Sequence, residues 1–187
     1  MGESAKRART RQRLAEAALA LFETQGYEET TTAQIAAAAG VSEMTLFRHF
    51  RSKDRLLLDD PYDPAIAAAV AATPLHLPAL ERVTAGVRAA WRDVPEPAEA
   101  AVRRRMRIAA RTPGLAGHVR ANTRATEDAI AQALVGTGED PTVAQIAAAA
   151  ALAALMEALS TWAQEESDAP LSHAILLALR VIEKGAD

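Results

Sequence analysis

Five side chains of the segment Glu43–His49 can hydrogen-bond or pack against a base edge or a phosphate: Glu43, Met44, Thr45, Arg48 and His49. A carboxylate, a hydroxyl, a guanidinium and an imidazole around a soft apolar residue suit the reading of donors, acceptors and methyl groups. Holding them on one face requires two short helices around a tight turn. Thr30 or Thr31 can cap the first, with Ile35 and Ala39 facing inward. Gly40 lets the chain reverse, Val41 fills the corner, and Ser42 caps a second helix whose Leu46 and Phe50 (i, i+4) face the interior. Two helices joined in this way form a helix-turn-helix, whose second helix fits the major groove of B-DNA.

The flanks extend the pattern. Thr10 to Tyr27 sets Leu14, Ala17, Ala18, Leu21 and Phe22 at helical spacing and stops at Gly26, while Ser52-Lys53-Asp54 begins a further helix. From Arg9 to about Leu58 the chain closely resembles the N-terminal DNA-binding domain of the TetR family of transcriptional regulators. The resemblance is carried by Leu21-Phe22, Gly26-Tyr27, Thr31-Thr32, Ile35-Ala36, Ala39-Gly40-Val41-Ser42, Thr45-Leu46-Phe47, His49-Phe50 and Ser52-Lys53. It implies DNA contacts at Thr32, Ala33, Glu43, Met44, Thr45, Phe47, His49 and Lys53, with Thr31, Ser42 and Arg48 beside them. Phe47 stands where the family usually has tyrosine, so a hydroxyl contact to phosphate is lost. Ala33 cannot hydrogen-bond a base.

Net charge is −3 over 187 residues, which suits a DNA binder only when it is divided. Residues 1–53 hold eight Lys or Arg against six Asp or Glu, a net of +2, and residues 54–187 hold thirteen against eighteen, a net of −5. Lys6, Arg7, Arg9, Arg11 and Arg13 cluster at the start as a basic arm suited to phosphates or the minor groove. The expected organisation is therefore a DNA-binding domain over 1–53 and a second domain over 54–187.

Beyond the motif no period-two pattern occurs. Prolines and glycines separate helix-length segments at 52–72, 78–93, 97–111, 114–135, 141–165 and 170–184, for an all-α fold of about nine helices. The helix over 52–72 is expected to bridge the two domains. Helix 141–165 is rich in alanine, and with 170–184 it suggests a four-helix seam between two copies, carried by Leu152, Leu155, Leu159, Ile175 and Leu179. Two-fold symmetry also suits a palindromic site. Ile66, Leu77, Val87, Trp91, Met106, Ile108 and Trp162 read as plain core in the first place, and as candidates for lining an apolar effector pocket in the second. Arg103, Arg107 and Arg111 form a helical stripe with Arg104 beside it, able to hold phosphate or carboxylate or to pair with Glu96 and Glu99. With Asp59-Asp60 after Leu56-Leu57-Leu58, the stretch RRRMRIAARTPGL makes this half resemble the TetR subgroup allied to the mycofactocin-system regulator, which implies an acyl-CoA-like effector.

Other classes find little support. The histidines His49, His76, His118 and His173 lack metal-ligand spacing, and no phosphate loop, dinucleotide fingerprint or nucleophile elbow occurs. No catalytic residue, metal or cofactor is therefore expected. Asp59, Asp60 and Asp63 sit beside prolines and read as solvated rather than catalytic. Cysteine is absent, no signal peptide is visible, and the longest apolar run, Ile146–Met156, has eleven residues, short of the about twenty a membrane span requires. These features lead to an expectation of a cytoplasmic protein without a membrane partner. The expected activity is that of a repressor, a homodimer released from operator DNA by a small apolar or acyl-CoA-like effector. Activation would use the same parts, and a helical protein-interaction module is the third alternative.

Overall fold

The computed structural model describes residues 2–59, 63–92, 96–165 and 168–184. Among them are ten α-helices, a 3-10 turn at Pro113–Leu115 and no strand. The helices are α1 (Gly2–Gln25), α2 (Thr32–Ala38), α3 (Glu43–His49), α4 (Lys53–Leu58), α5 (Asp63–Ala71), α6 (Ala79–Trp91), α7 (Glu96–Arg111), α8 (Ala116–Val135), α9 (Pro141–Gln164) and α10 (Leu171–Lys184). Two expectations change here. The basic arm is a helical extension of α1, and the bridging helix over 52–72 is two helices. α4 stops at Asp59, whose backbone is extended (φ −64°, ψ 109°). Arg11 and Arg55 both reach the Asp59 carboxylate, so Asp59 is ion-paired, not solvated. Asp60 lies outside the described residues, as does the side chain of Asp63.

The chain divides into two compact units, residues 1–59 with 108–118, and residues 60–107 with 119–187. The boundary expected after Lys53 thus falls after Asp59, because α4 packs on α1 and buries Leu56 and Leu57. Leu14, Ala18, Leu19 and Phe22 of α1 are buried, as are Ile35, Ala36 and Ala39 of α2 and its end, and Leu46 and Phe50 of α3 and its cap. Ile108 and Leu115, from the returning segment, are buried too.

In the second unit α5 packs on α6, α6 on α9, and α9 on α10. Gly86 marks the α5–α6 crossing: a Cβ there would stand 2.4 Å from Val70 Cγ2 and 2.8 Å from the Val70 backbone. Ile66, Val70, Val83, Val87, Ile130, Leu134 and the alanines of α9 form the core. Leu152, Leu155, Leu159, Ile175 and Leu179, expected at a seam between copies, all belong to this core and are at most 6% exposed. An apolar helix face satisfied inside its own chain has nothing left to offer a partner. α9 is long and apolar enough to cross a bilayer by length and composition alone. One side of it packs into this core, and alanine supplies most of its apolar character.

Arg82 is buried, at 2% exposure. Its Nε donates to Thr73 Oγ1 (3.1 Å) and an Nη to Thr137 Oγ1 (2.7 Å). Each hydroxyl donates in turn to a helix-end carbonyl, Val70 and Leu134 respectively. The negative ends of α5 and α8 thereby reach the guanidinium, which accounts for a buried charge without a carboxylate partner among the described residues.

Candidate nucleic-acid interface

The turn between α2 and α3 is built as its residue types require. Thr31 is the N-cap of α2, and with Gln34 it forms a reciprocal capping box: Gln34 N–H donates to the Thr31 hydroxyl and Thr31 N–H to Gln34 Oε1. Gly40 has φ +63°, the left-handed conformation that ends α2. Ser42 caps α3 by accepting from Thr45 N–H, and its hydroxyl also lies 2.9 Å from Thr45 Oγ1. Thr32 donates to the Glu43 carboxylate across the turn. Thr32, Glu43, Ser42 and Thr45 therefore brace one another, which fixes the start of α3. Outward from that frame stand Met44 (74% exposed) and Phe47 (48%), with Arg48 also exposed and His49 partly so. Two exposed apolar side chains at three-residue spacing on a seven-residue helix suit thymine methyl groups.

The basic residues separate into two sets. Arg11 donates to the His49 carbonyl (2.8 Å) and the Asp59 carboxylate (2.5 Å), with its guanidinium 4.1 Å above the Phe50 ring. Arg13 donates to the Ala39 carbonyl at the end of α2. The Lys53 ammonium donates to the carbonyls of Tyr27 (2.9 Å), Thr30 (3.1 Å) and Glu28 (3.4 Å) and lies 4.2 Å over the Tyr27 ring. All three cations close off backbone carbonyls inside the unit. Lys6, Arg7, Arg9, Arg48 and Arg51 are exposed and without ion pairs among the described residues, so their charges face solvent. Sequence reasoning missed this division, although Arg11, Leu14 and Ala18 share one helical stripe once α1 is continued upstream.

Burial foremost, then the charges of Arg7, Arg11 and Arg48, hold the His49 imidazole below its ordinary value of 6.5. Burial, then the carboxylates of Asp54 and Glu28, push the Tyr27 phenol up to about 12. His118 Nδ1 lies 3.4 Å from Asp54, which ties the returning segment to α4.

The expected effector residues do not assemble into one site. Ile66 is plain core, and Trp91 and Met106 pack against that core partly buried. Arg103 stacks 4.1 Å over the Trp162 ring and donates to the carbonyls of Glu165 and Ala169. Arg107 donates to Ala163 O (2.5 Å) and Glu165 O (3.4 Å), and Trp162 Nε1 to Ala169 O. These two arginines therefore cap the end of α9, where the helix leaves its last carbonyls unpaired. Two open clefts stand out among those lined by described residues. One, of about 430 Å³, lies beside the Arg88–Glu183 ion pair and includes Leu77. The other, about 370 Å³ and mostly apolar, runs between α9 and α10 over Trp162. Among the described residues no cluster of three or more His, Asp or Glu is placed to hold a metal ion.

Residues 14–59 match the family model described as bacterial regulatory proteins, tetR family, and residues 77–187 match the MftR C-terminal domain. The transcriptional regulator TcmR of Streptomyces glaucescens is 40% identical over 114 residues, 57% of this chain and 50% of that one. The nucleoid occlusion factor SlmA of Escherichia coli is 46% identical over 54 residues, 29% of this chain and 27% of SlmA. The chain thus spans half or less of the length of these curated relatives. Among solved structures, a TetR-family regulator from Streptomyces coelicolor superposes with a TM-score of 0.61 at 24% identity, over 98% of this chain and 96% of that one. SmeT, the repressor of the Stenotrophomonas maltophilia efflux pump SmeDEF, gives 0.58 at 23% identity, over 90% and 86%.

Proposed function

Because the chain belongs to the TetR family of bacterial transcriptional regulators, we propose that it is a homodimeric repressor that reads a palindromic operator through α3 and is released by a small apolar effector. The observation that carries the DNA half is the outer face of α3, where Met44, Phe47 and Arg48 stand exposed beside Arg51, on a helix start braced by four hydrogen-bonded side chains. Within the second unit, α5, α6, α8 and α9 contribute to the apolar core, and the open clefts beside Arg88–Glu183 and between α9 and α10 support a place for an effector on that unit. The acyl-CoA-like effector rests on the likeness to the MftR C-terminal domain. Arg103 and Arg107 no longer supply its polar anchor, since both already hold the end of α9. An effector acts only through different affinity for the bound and released forms. Release from mostly bound to mostly free takes about 3–5 kcal/mol of that difference.

The dimer surface moves from the buried leucines to the exposed apolar side chains of the same two helices: Val143 and Ile146 on α9, and Leu176, Leu177 and Val181 on α10. Ile146→Glu or Val181→Glu is expected to give folded monomers by light scattering and circular dichroism, whereas Leu155→Arg places a charge in the core and unfolds the unit. Retention of the dimer by both surface variants refutes the assignment. The test of function is a gel shift on DNA flanking the gene, with non-specific competitor and a panel of acyl-CoA and free apolar ligands. No selective shift on any inverted repeat refutes the reading.

A further inference from the structure

We propose that Arg11 is a positioning residue for DNA reading, which fixes the recognition helix α3 to the end of α4. The proposal rests on the reading of α3 as the DNA-reading helix.

α3 has seven residues, about two turns, so its direction is decided at its two ends. The start is braced by Thr32, Ser42, Glu43 and Thr45. At the other end Phe50, the C-cap, is buried at 3% exposure, and the His49 carbonyl is one of those a helix leaves unpaired. Arg11 closes that end with one group in three contacts: Nη1 to His49 O at 2.8 Å, the guanidinium face on Phe50 at 4.1 Å, and Nη2 to Asp59 at 2.5 Å. Asp59 is the C-cap of α4 and also meets Arg55 at 3.3 Å. A planar fork can span a carbonyl and a carboxylate while stacking on a ring; an ammonium cannot. The recognition helix thus keeps its orientation through a contact that depends on where α4 ends, and a shift of Asp59 passes to His49 through a single side chain. Family likeness assigns no DNA contact to Arg11, and charge counting alone would place it on a phosphate.

The experiment uses the full chain and a duplex enriched by the wild-type protein from a random library, with a scrambled duplex as the non-specific control. Fluorescence anisotropy over a KCl series is measured for Arg11→Gln, Arg11→Lys, Asp59→Asn and the Arg11→Gln/Asp59→Asn double variant, with thermal melts alongside. Each single variant is expected to lower the specific-to-scrambled affinity ratio about tenfold, the size of one lost base contact. The double variant loses no more than a single one, because both act through one contact. The salt slope on scrambled DNA stays as in wild type. Arg11→Lys, which retains charge and stem, behaves like Arg11→Gln in the ratio and keeps the proposal testable if the glutamine variant fails to fold. A slope reduced by about 0.9 with the ratio intact makes Arg11 a phosphate contact and overturns the proposal. So does a ratio untouched by Asp59→Asn. Failure of the wild type to enrich any duplex overturns the DNA reading itself and this proposal with it.

Discussion

Replacing Lys53 by methionine removes the ammonium and leaves an apolar stem of similar length. In the structure this costs the bonds to Tyr27 O at 2.9 Å and Thr30 O at 3.1 Å, the long one to Glu28 O at 3.4 Å, and the position 4.2 Å over the Tyr27 ring. Two charge-assisted bonds at a half-buried site contribute about 1 kcal/mol each, and the ring contact about 0.5–1 kcal/mol. The expected loss is therefore about 2.5–3 kcal/mol, a melting shift of roughly 5–12 °C in a chain of this length. Melts are compared at equal protomer concentration, since the proposed dimer makes the midpoint concentration-dependent. Because the three donors of Lys53 already face carbonyls, its removal is expected to change the slope of log affinity against log salt by less than about 0.3. A phosphate contact, the role implied by family likeness, predicts a fall of about 0.9 and little change in melting. That second pattern refutes the assignment of Lys53 as a clasp on the α1–α2 turn.

Other outcomes test other parts of the molecule. With the His49 imidazole held below 6.5 in the free protein, a DNA phosphate beside it favours the protonated form, so binding takes up a proton. Affinity is expected to rise as pH falls from 7 through that depressed value, while the free fold loses stability over the same window because the unfolded chain binds the proton more readily. His49→Gln removes the pH dependence of affinity that His49 contributes; an identical profile in the variant rules His49 out. Gly86→Ala drives a Cβ to within 2.8 Å of the Val70 backbone as well as onto its side chain. It is expected to cost about 1–3 kcal/mol in urea unfolding. Val70→Ala is not expected to rescue it, since the clash with backbone atoms remains; full rescue contradicts the α5–α6 packing described.

Local chemistry along the chain determined the elements. The capping box at Thr31 and Gln34, the left-handed Gly40, the cap at Ser42 and the proline and glycine breaks lie within a few residues of what they control. α2, α3 and the helices from α6 onward accordingly fall where their residue types put them. Tertiary structure decided what each face and each charge is for. Leu155 and Leu179 read as apolar at helical spacing whether they meet their own chain or another, and only the packing of α9 on α10 and α6 places them inside. Arg11, Arg13 and Lys53 carry the same charge as Arg48 and Arg51, but the fold brings helix-end carbonyls to the two arginines and the carbonyls of the α1–α2 turn to Lys53, and leaves Arg48 and Arg51 in solvent. Residues 108–118 joined the first unit across the intervening residues 60–107, and no local pattern records that return. Spacing specifies which residues share a face. The partner of that face is set by atoms distant in sequence, through burial and hydrogen bonding that exist only once the chain has closed on itself.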